Sequence, residues 1–133
     1  MMRQADMRLA LHSVGFPSWI FPHWDISRCT RRINGSASFL TENFQELKKE
    51  LSGYPFRSQC DTEVILAAYE KWGIDCVSRF NGMFAIALYD RDAQEVYLVR
   101  DRIGKKPLYY WEDGENLVFA SELKPILACP GFD

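Results

Sequence analysis

Few of the 133 residues could do chemistry, and most of those that could lie in two short stretches. The first is Gln59-Cys60-Asp61-Thr62-Glu63, directly ahead of a segment with helical apolar spacing. Asp61 has two readings there. A carboxylate at a helix start accepts backbone amides and complements the macrodipole. The same carboxylate can hold the ammonium group of a ligand. Local pattern alone favours the cap. Cys60 could be a thiolate of lowered pKa at a helix N-terminus, but the adjacent Asp61 opposes ionisation, and buried free cysteine is the commoner state. The second stretch, Arg100-Asp101-Arg102 with Lys105-Lys106, could bind phosphate, yet reads more simply as internally paired or solvated charge. His12 and His23 are the only histidines. Ser-His or Cys-His catalysis therefore has little to draw on, and the pattern assigns no catalytic residue.

Composition narrows the function classes. With 47% hydrophobic and 14% aromatic residues the chain can build a core as one domain or a piece of one. A net charge of −2 and pI near 5.7 give no case for a nucleic-acid or anionic-membrane partner. No apolar run is long enough to span a bilayer, and MMRQADMR lacks the apolar stretch of a signal peptide. Cys29, Cys60, Cys76 and Cys129 are widely spaced without a CxxC pair. Neither a disulfide framework nor a metal site is expected, and a reducing, cytoplasmic setting is.

The elements that must position Asp61 start at Asn43. There Asn43 and Glu46 read as a capping box, with Phe44, Leu47 and Leu51 inward. Gly53 stops that helix. Asp61 or Thr62 caps a second helix with Val64, Ile65, Ala68 and Trp72 on its apolar face, and Gly73 ends it. Ile74 to Phe80 is a short helix with Cys76, Val77 and Phe80 inward. Met83 to Tyr89 is apolar at every position, as in a strand covered on both faces. Asp90-Arg91-Asp92 is a turn. Glu95 to Val99 then alternates, with Val96 and Leu98 on one face and Tyr97 and Val99 on the other. Leu108–Trp111 and Leu117–Ala120 form a hairpin, and a last short helix opens at Ser121 with Pro125 tolerated in its first turn. The sum is α+β, with antiparallel strands and helices in layers. Phe56, Val64, Ile65, Phe84, Ile86, Leu88, Val96, Leu98 and Phe119 are the expected core.

Residues 1–42 lack helical or strand periodicity. Ile33-Asn34-Gly35-Ser36 reads as a turn, and the segment is expected to be irregular and poorly ordered. Residues 43–133 are the expected folded part.

From Asn43 onward the chain resembles a known family. NFQELKKEL, GYPFRSQCDTEVILAAYEKWGIDCVSRFNGMFAIALYD, VRDRIGKKPLYY and LVFASELKPIL closely resemble the glutaminase domain of glutamine-hydrolysing asparagine synthetases over residues 43–130. The resemblance implies a partial class II (type-2) glutamine amidotransferase domain with an N-terminal-nucleophile fold. It implies glutamine as substrate and an N-terminal cysteine whose own α-amine acts as base. It implies an Asn-Gly oxyanion hole in an NGE motif, and an arginine that holds the glutamine carboxylate. Ammonia would pass to a synthetase domain that uses ATP and magnesium to convert aspartate to asparagine. Only Asp61 carries over, at the position that binds the glutamine amino group. Met2 stands where the cysteine should follow the initiator, no RRLSI-like motif is present, and no cofactor is assigned to this chain. Two functions follow. One is a fragment of such a glutaminase, itself inactive, with a related amidotransferase of another acceptor as a variant. The other is a non-catalytic binding or interaction module of the same fold, which strands ahead of Asn43 would favour.

A shifted reading frame accounts for the missing motifs. Codons for Gly15 to Cys29 can be chosen so that a frame starting at the last base of the Gly15 codon reads LSIVDLSPLGHQPM, and Phe39 to Glu42 can yield FNGE in the same frame. Sequencing the gene is expected to show LSIVDL and NGE in that frame across codons 15–42. Their absence contradicts the frameshift.

Overall fold

The computed structural model describes residues 9–12, 33–114, 116–129 and 132. It is an α+β arrangement organised around the apolar run expected to be a doubly covered strand. In chain order the elements are β1 (Leu9–His12), β2 (Ile33–Thr41), α1 (Phe44–Glu50), α2 (Asp61–Trp72), a 3-10 helix (Gly73–Arg79), β3 (Gly82–Asp90), β4 (Glu95–Arg100), β5 (Tyr109–Glu112), β6 (Leu117–Ala120) and α3 (Leu123–Leu127). Four strands form one antiparallel sheet in the order β1-β4-β3-β2, and β5 and β6 form a separate hairpin.

Burial follows the period-2 alternation of the strands. Phe84, Ile86 and Leu88 of β3 and Val99 of β4 enter a core with Val64, Ile65 and Ala68 of α2, with Cys76 and Val77 of the 3-10 helix, and with Phe80 just after it. The opposite face of the sheet presents Ala87, Val96 and Leu98, which pack with Leu117 of the hairpin. The central sheet is thus covered on both faces, as its uninterrupted apolar run requires. Within the first core the Phe80 and Phe84 rings meet edge to face at 5.8 Å.

Two of the nine expected core residues, Phe56 and Phe119, are half-buried. Phe56 lies at the rim of the helical layer, against Tyr54 at 4.9 Å between centroids and under the Lys48 ammonium at 4.7 Å. Phe119 packs against the smaller of the two cores.

Local signals and tertiary structure part company at three places. Asn43 is the N-cap of α1 but makes no side-chain cap bond. Its amide instead bridges elements: the Asn81 N–H donates to Oδ1 at 3.0 Å, and Nδ2 donates to the Arg79 carbonyl at 2.9 Å. The capping box is replaced by a tie to the start of β3. The cap of α2 is Cys60 rather than Asp61 or Thr62. Finally, the segment ahead of Asn43, expected to be irregular, contains β1 and β2. Ile33-Asn34-Gly35-Ser36 is the first part of a nine-residue strand, with Ile33 opposite Asp90 and Thr41 opposite Gly82. The Asn-Gly turn signal yields to the ladder demand of β3, whose second edge would otherwise be bare inside a two-faced core. Residues 1–8 and 13–32, where the same expectation falls, lie outside the described residues.

Because Ile86 is 2% exposed in the larger core, Ile86→Ala is expected to lower unfolding stability by about 2–5 kcal/mol. Chemical denaturation measures this, and a loss near zero contradicts the packing.

Candidate functional site

Asp61 occupies the first residue of α2, where Cys60 supplies the extended cap conformation at φ −82°, ψ 135°. Its carboxylate is half-buried, and no side chain or amide among the described residues hydrogen-bonds to it. Neither does the Cys60 side chain cap the helix. Two other acids, Glu63 and Asp101, the latter expected to belong to a solvated or internally paired cluster, behave quite differently from Asp61.

Glu63 closes the loop ahead of α2. The Arg57 N–H donates to its Oε1 at 2.8 Å, and the Ser58 N–H and hydroxyl donate to its Oε2 at 2.8 and 2.6 Å. The Cys60 N–H in turn donates to Ser58 Oγ at 3.1 Å. From α1, the Lys48 ammonium donates to the Ser58 carbonyl and to Gln59 Oε1, each at 3.2 Å. Partial burial would raise the Glu63 pKa. The Ser58 hydroxyl, the two amides and the Lys48 charge outweigh it and hold the carboxyl below its usual value. The loop 57–60 is therefore wound onto one carboxylate. Sequence reasoning assigned Glu63 no role, because the capping-box spacing points to Cys60, which offers no cap oxygen. The serine that answers Glu63 lies two residues further upstream.

The second stretch is built the same way. Asp101 is 5% exposed. The Lys105 N–H donates to its Oδ1 at 2.9 Å, and the Lys106 and Phe84 N–H groups donate to Oδ2 at 2.9 and 3.2 Å. Desolvation pushes its pKa up, but the amides, those of Lys106 and Lys105 foremost, hold the carboxyl below the usual range. Arg100 donates from Nε to the Lys106 carbonyl at 2.9 Å and from Nη2 to the Gly104 carbonyl at 2.7 Å. Gly104 sits at φ +65°, and a Cβ there would stand 2.9 Å from Arg100 Cζ, so the turn requires glycine. Arg102 reaches the carbonyls of Phe80 and Ser78 at 3.4 and 3.3 Å. The charges of Arg100-Asp101-Arg102 are thus engaged by backbone groups rather than by one another. The two guanidiniums are turned to carbonyls, which removes the geometry for a phosphate.

Elsewhere, a cleft of about 250 Å³ opens between Leu51, Gly53, Tyr54, Ala67, Glu70 and Lys71, and Asp61 does not line it. Among the described residues no three His, Cys, Asp or Glu side chains are grouped to hold a metal ion. Nor, among the described residues, is any helix long and apolar enough to cross a membrane.

Comparison with known proteins places this geometry in context. The profile of the family described as glutamine amidotransferase domain matches residues 33–133. Asparagine synthetase (glutamine-hydrolyzing) 2 of Bacillus subtilis (strain 168) is 40% identical over 111 residues, covering 74% of this chain and 15% of the relative. Asparagine synthetase (glutamine-hydrolyzing) 3 of the same organism is 43% identical over 90 residues, covering 66% of this chain and 15% of the relative. Amidase chry2 of Gibberella zeae is 33% identical over 87 residues, 65% of this chain and 13% of the relative. The chain thus spans a small part of the length of these relatives.

Two substitutions test the local geometry. Cys60→Ser is expected to stabilise the fold by about 0.5–1 kcal/mol, by adding a cap acceptor where none bonds now. A thermal-shift series measures it, and destabilisation contradicts the cap assignment. Asp101→Asn is expected to cost about 1–3 kcal/mol at neutral pH, because a carboxylate that accepts three amides becomes an amide. Since the folded-state pKa of Asp101 is depressed, its contribution is present above the ordinary carboxylate pKa of about 4 and is lost as pH falls through the folded value. The variant should therefore show a shallower acid limb in stability against pH. An unchanged acid limb contradicts the role.

Proposed function

We propose, from the premise that this chain belongs to the glutamine amidotransferase domain family of the glutamine-hydrolysing asparagine synthetases, that it carries the amino-group-recognising part of a glutaminase domain without the nucleophile. The observation that carries this reading is the contrast among three acids. Glu63 accepts two backbone amides and the Ser58 hydroxyl, and Asp101 accepts three backbone amides, whereas the half-buried Asp61 carboxylate has no hydrogen-bond donor among the described residues. An acceptor-only group left open in this way suits an ammonium ligand, such as the α-amino group of glutamine.

The chemistry of amide hydrolysis in such a domain needs a thiolate and an adjacent base. In this sequence Met2 follows Met1, and the cysteines stand at 29, 60, 76 and 129. Each of these cysteines is internal to the sequence, so its own α-amine is held in a peptide bond. The reading is a segment of the N-terminal-nucleophile fold that does not itself turn over glutamine. ATP, magnesium and the aspartate-to-asparagine step belong to the synthetase part of such proteins, in a cytoplasmic setting.

A second reading, a non-catalytic module of the same fold, is favoured by a specific observation: β1 and β2 lie ahead of Asn43 and pair with β4 and β3. The likeness to amidase chry2 leaves room for an acceptor other than aspartate.

The purified chain is expected to release no ammonia from glutamine, and turnover at an ordinary enzymatic rate contradicts the proposal. Glutamine titration followed by NMR tests the recognition role of Asp61. Shifts at the Asp61 amide that vanish in Asp61→Asn support recognition of the amino group by Asp61. A flat titration contradicts that recognition and leaves the non-catalytic module as the reading.

A further inference from the structure

We propose that Glu63 is the positioning residue for Asp61, acting through Ser58 and the Cys60 backbone. The inference rests on the reading of Asp61 as the acceptor for a ligand's ammonium group.

The two acids share the first turn of α2, yet their surroundings differ in kind. Glu63 points back along the chain and gathers the amides of Arg57 and Ser58 and the Ser58 hydroxyl. Ser58 Oγ both donates to Glu63 and accepts from the Cys60 N–H, so one hydroxyl joins the carboxylate to the residue next to Asp61. The Glu63 N–H donates to the Cys60 carbonyl at 3.1 Å, which closes the circuit at the helix start. Lys48 braces the circuit from α1 through the Ser58 carbonyl and Gln59.

This arrangement does what a side-chain cap would otherwise do. The Cys60 side chain makes no cap bond. The Glu63–Ser58 link holds the Cys60 backbone through its N–H. It also leaves the Asp61 carboxylate free of the capping task, which the local pattern had assigned to it. An acid at a helix start is ordinarily claimed by orphan amides of its own turn. Here a second acid, two residues on, holds the loop. Glu63 is not placed against the ligand and is not a catalytic residue.

The test uses the full 133-residue chain and two readouts, amide hydrogen exchange and glutamine titration by NMR. Glu63→Gln turns an NH₂ toward donors, and Ser58→Ala removes the linking hydroxyl. Each is expected to lower protection of the Cys60 amide by about tenfold, the loss of one ordinary hydrogen bond, with β3 amides unchanged. Where the wild type binds glutamine, the same two variants weaken binding by a similar factor. Ser58→Thr keeps the hydroxyl and restores both readouts. Wild-type protection of Cys60 in Glu63→Gln overturns the proposal, as does a uniform loss across α2 and β3, which would mark Glu63 as a general stability residue. Should wild type take up no glutamine, the ammonium reading of Asp61 fails in this chain, and the exchange readout still decides the positioning role.

Discussion

The constraint on which the rest of this structure depends is the double burial of β3. A strand with apolar side chains on both faces needs cover above and below, and ladder partners on both edges. The helical layer covers Phe84, Ile86 and Leu88, and the β5–β6 hairpin packs over the face that presents Ala87. β4 supplies one edge and β2 the other. With β3 fixed, Asn43 ties the start of α1 to the residues just before it, and Asp101 ties the loop after β4 to the Phe84 amide. The helix that carries Asp61 is held in place because its face closes this core.

Loops in this fold are organised by acids rather than by apolar contacts. Asp101 and Glu63 each collect several backbone N–H groups from a turn that would otherwise leave those donors unpaired. In both, these bonds outweigh the desolvation that burial imposes. That division of labour distinguishes the structural carboxylates from Asp61. Three acids with similar chemistry in isolation differ only in what the backbone presents to them.

Much of the fold was legible in the sequence because the signals were long and periodic. The apolar run of β3, the alternation of β4 and the helical spacing of α2 each span several residues and agree with their final burial. What was not legible depended on distant partners. β2 carries an Asn-Gly pair that is a turn signal locally and a ladder position beside β3. Asn43 has the composition of a cap, but its amide is claimed by Arg79 and Asn81 across the fold. At the candidate site, the helix start at Asp61 was legible from the apolar spacing that follows it. The Glu63 latch was not, because its serine stands outside the usual capping spacing.

The most direct test of this account is residue-resolved hydrogen exchange along β3. Alternate residues of a strand turn their amides to opposite edges. The Asp101 N–H donates to the Phe84 carbonyl, so Phe84, Ile86 and Leu88 face β4, whereas Ala85, Ala87 and Tyr89 face β2. A strand paired on both edges predicts slow exchange at both sets. Slow exchange at Ile86 and Leu88 with fast exchange at Ala85, Ala87 and Tyr89 would show that the β2 edge is open, and would contradict the account.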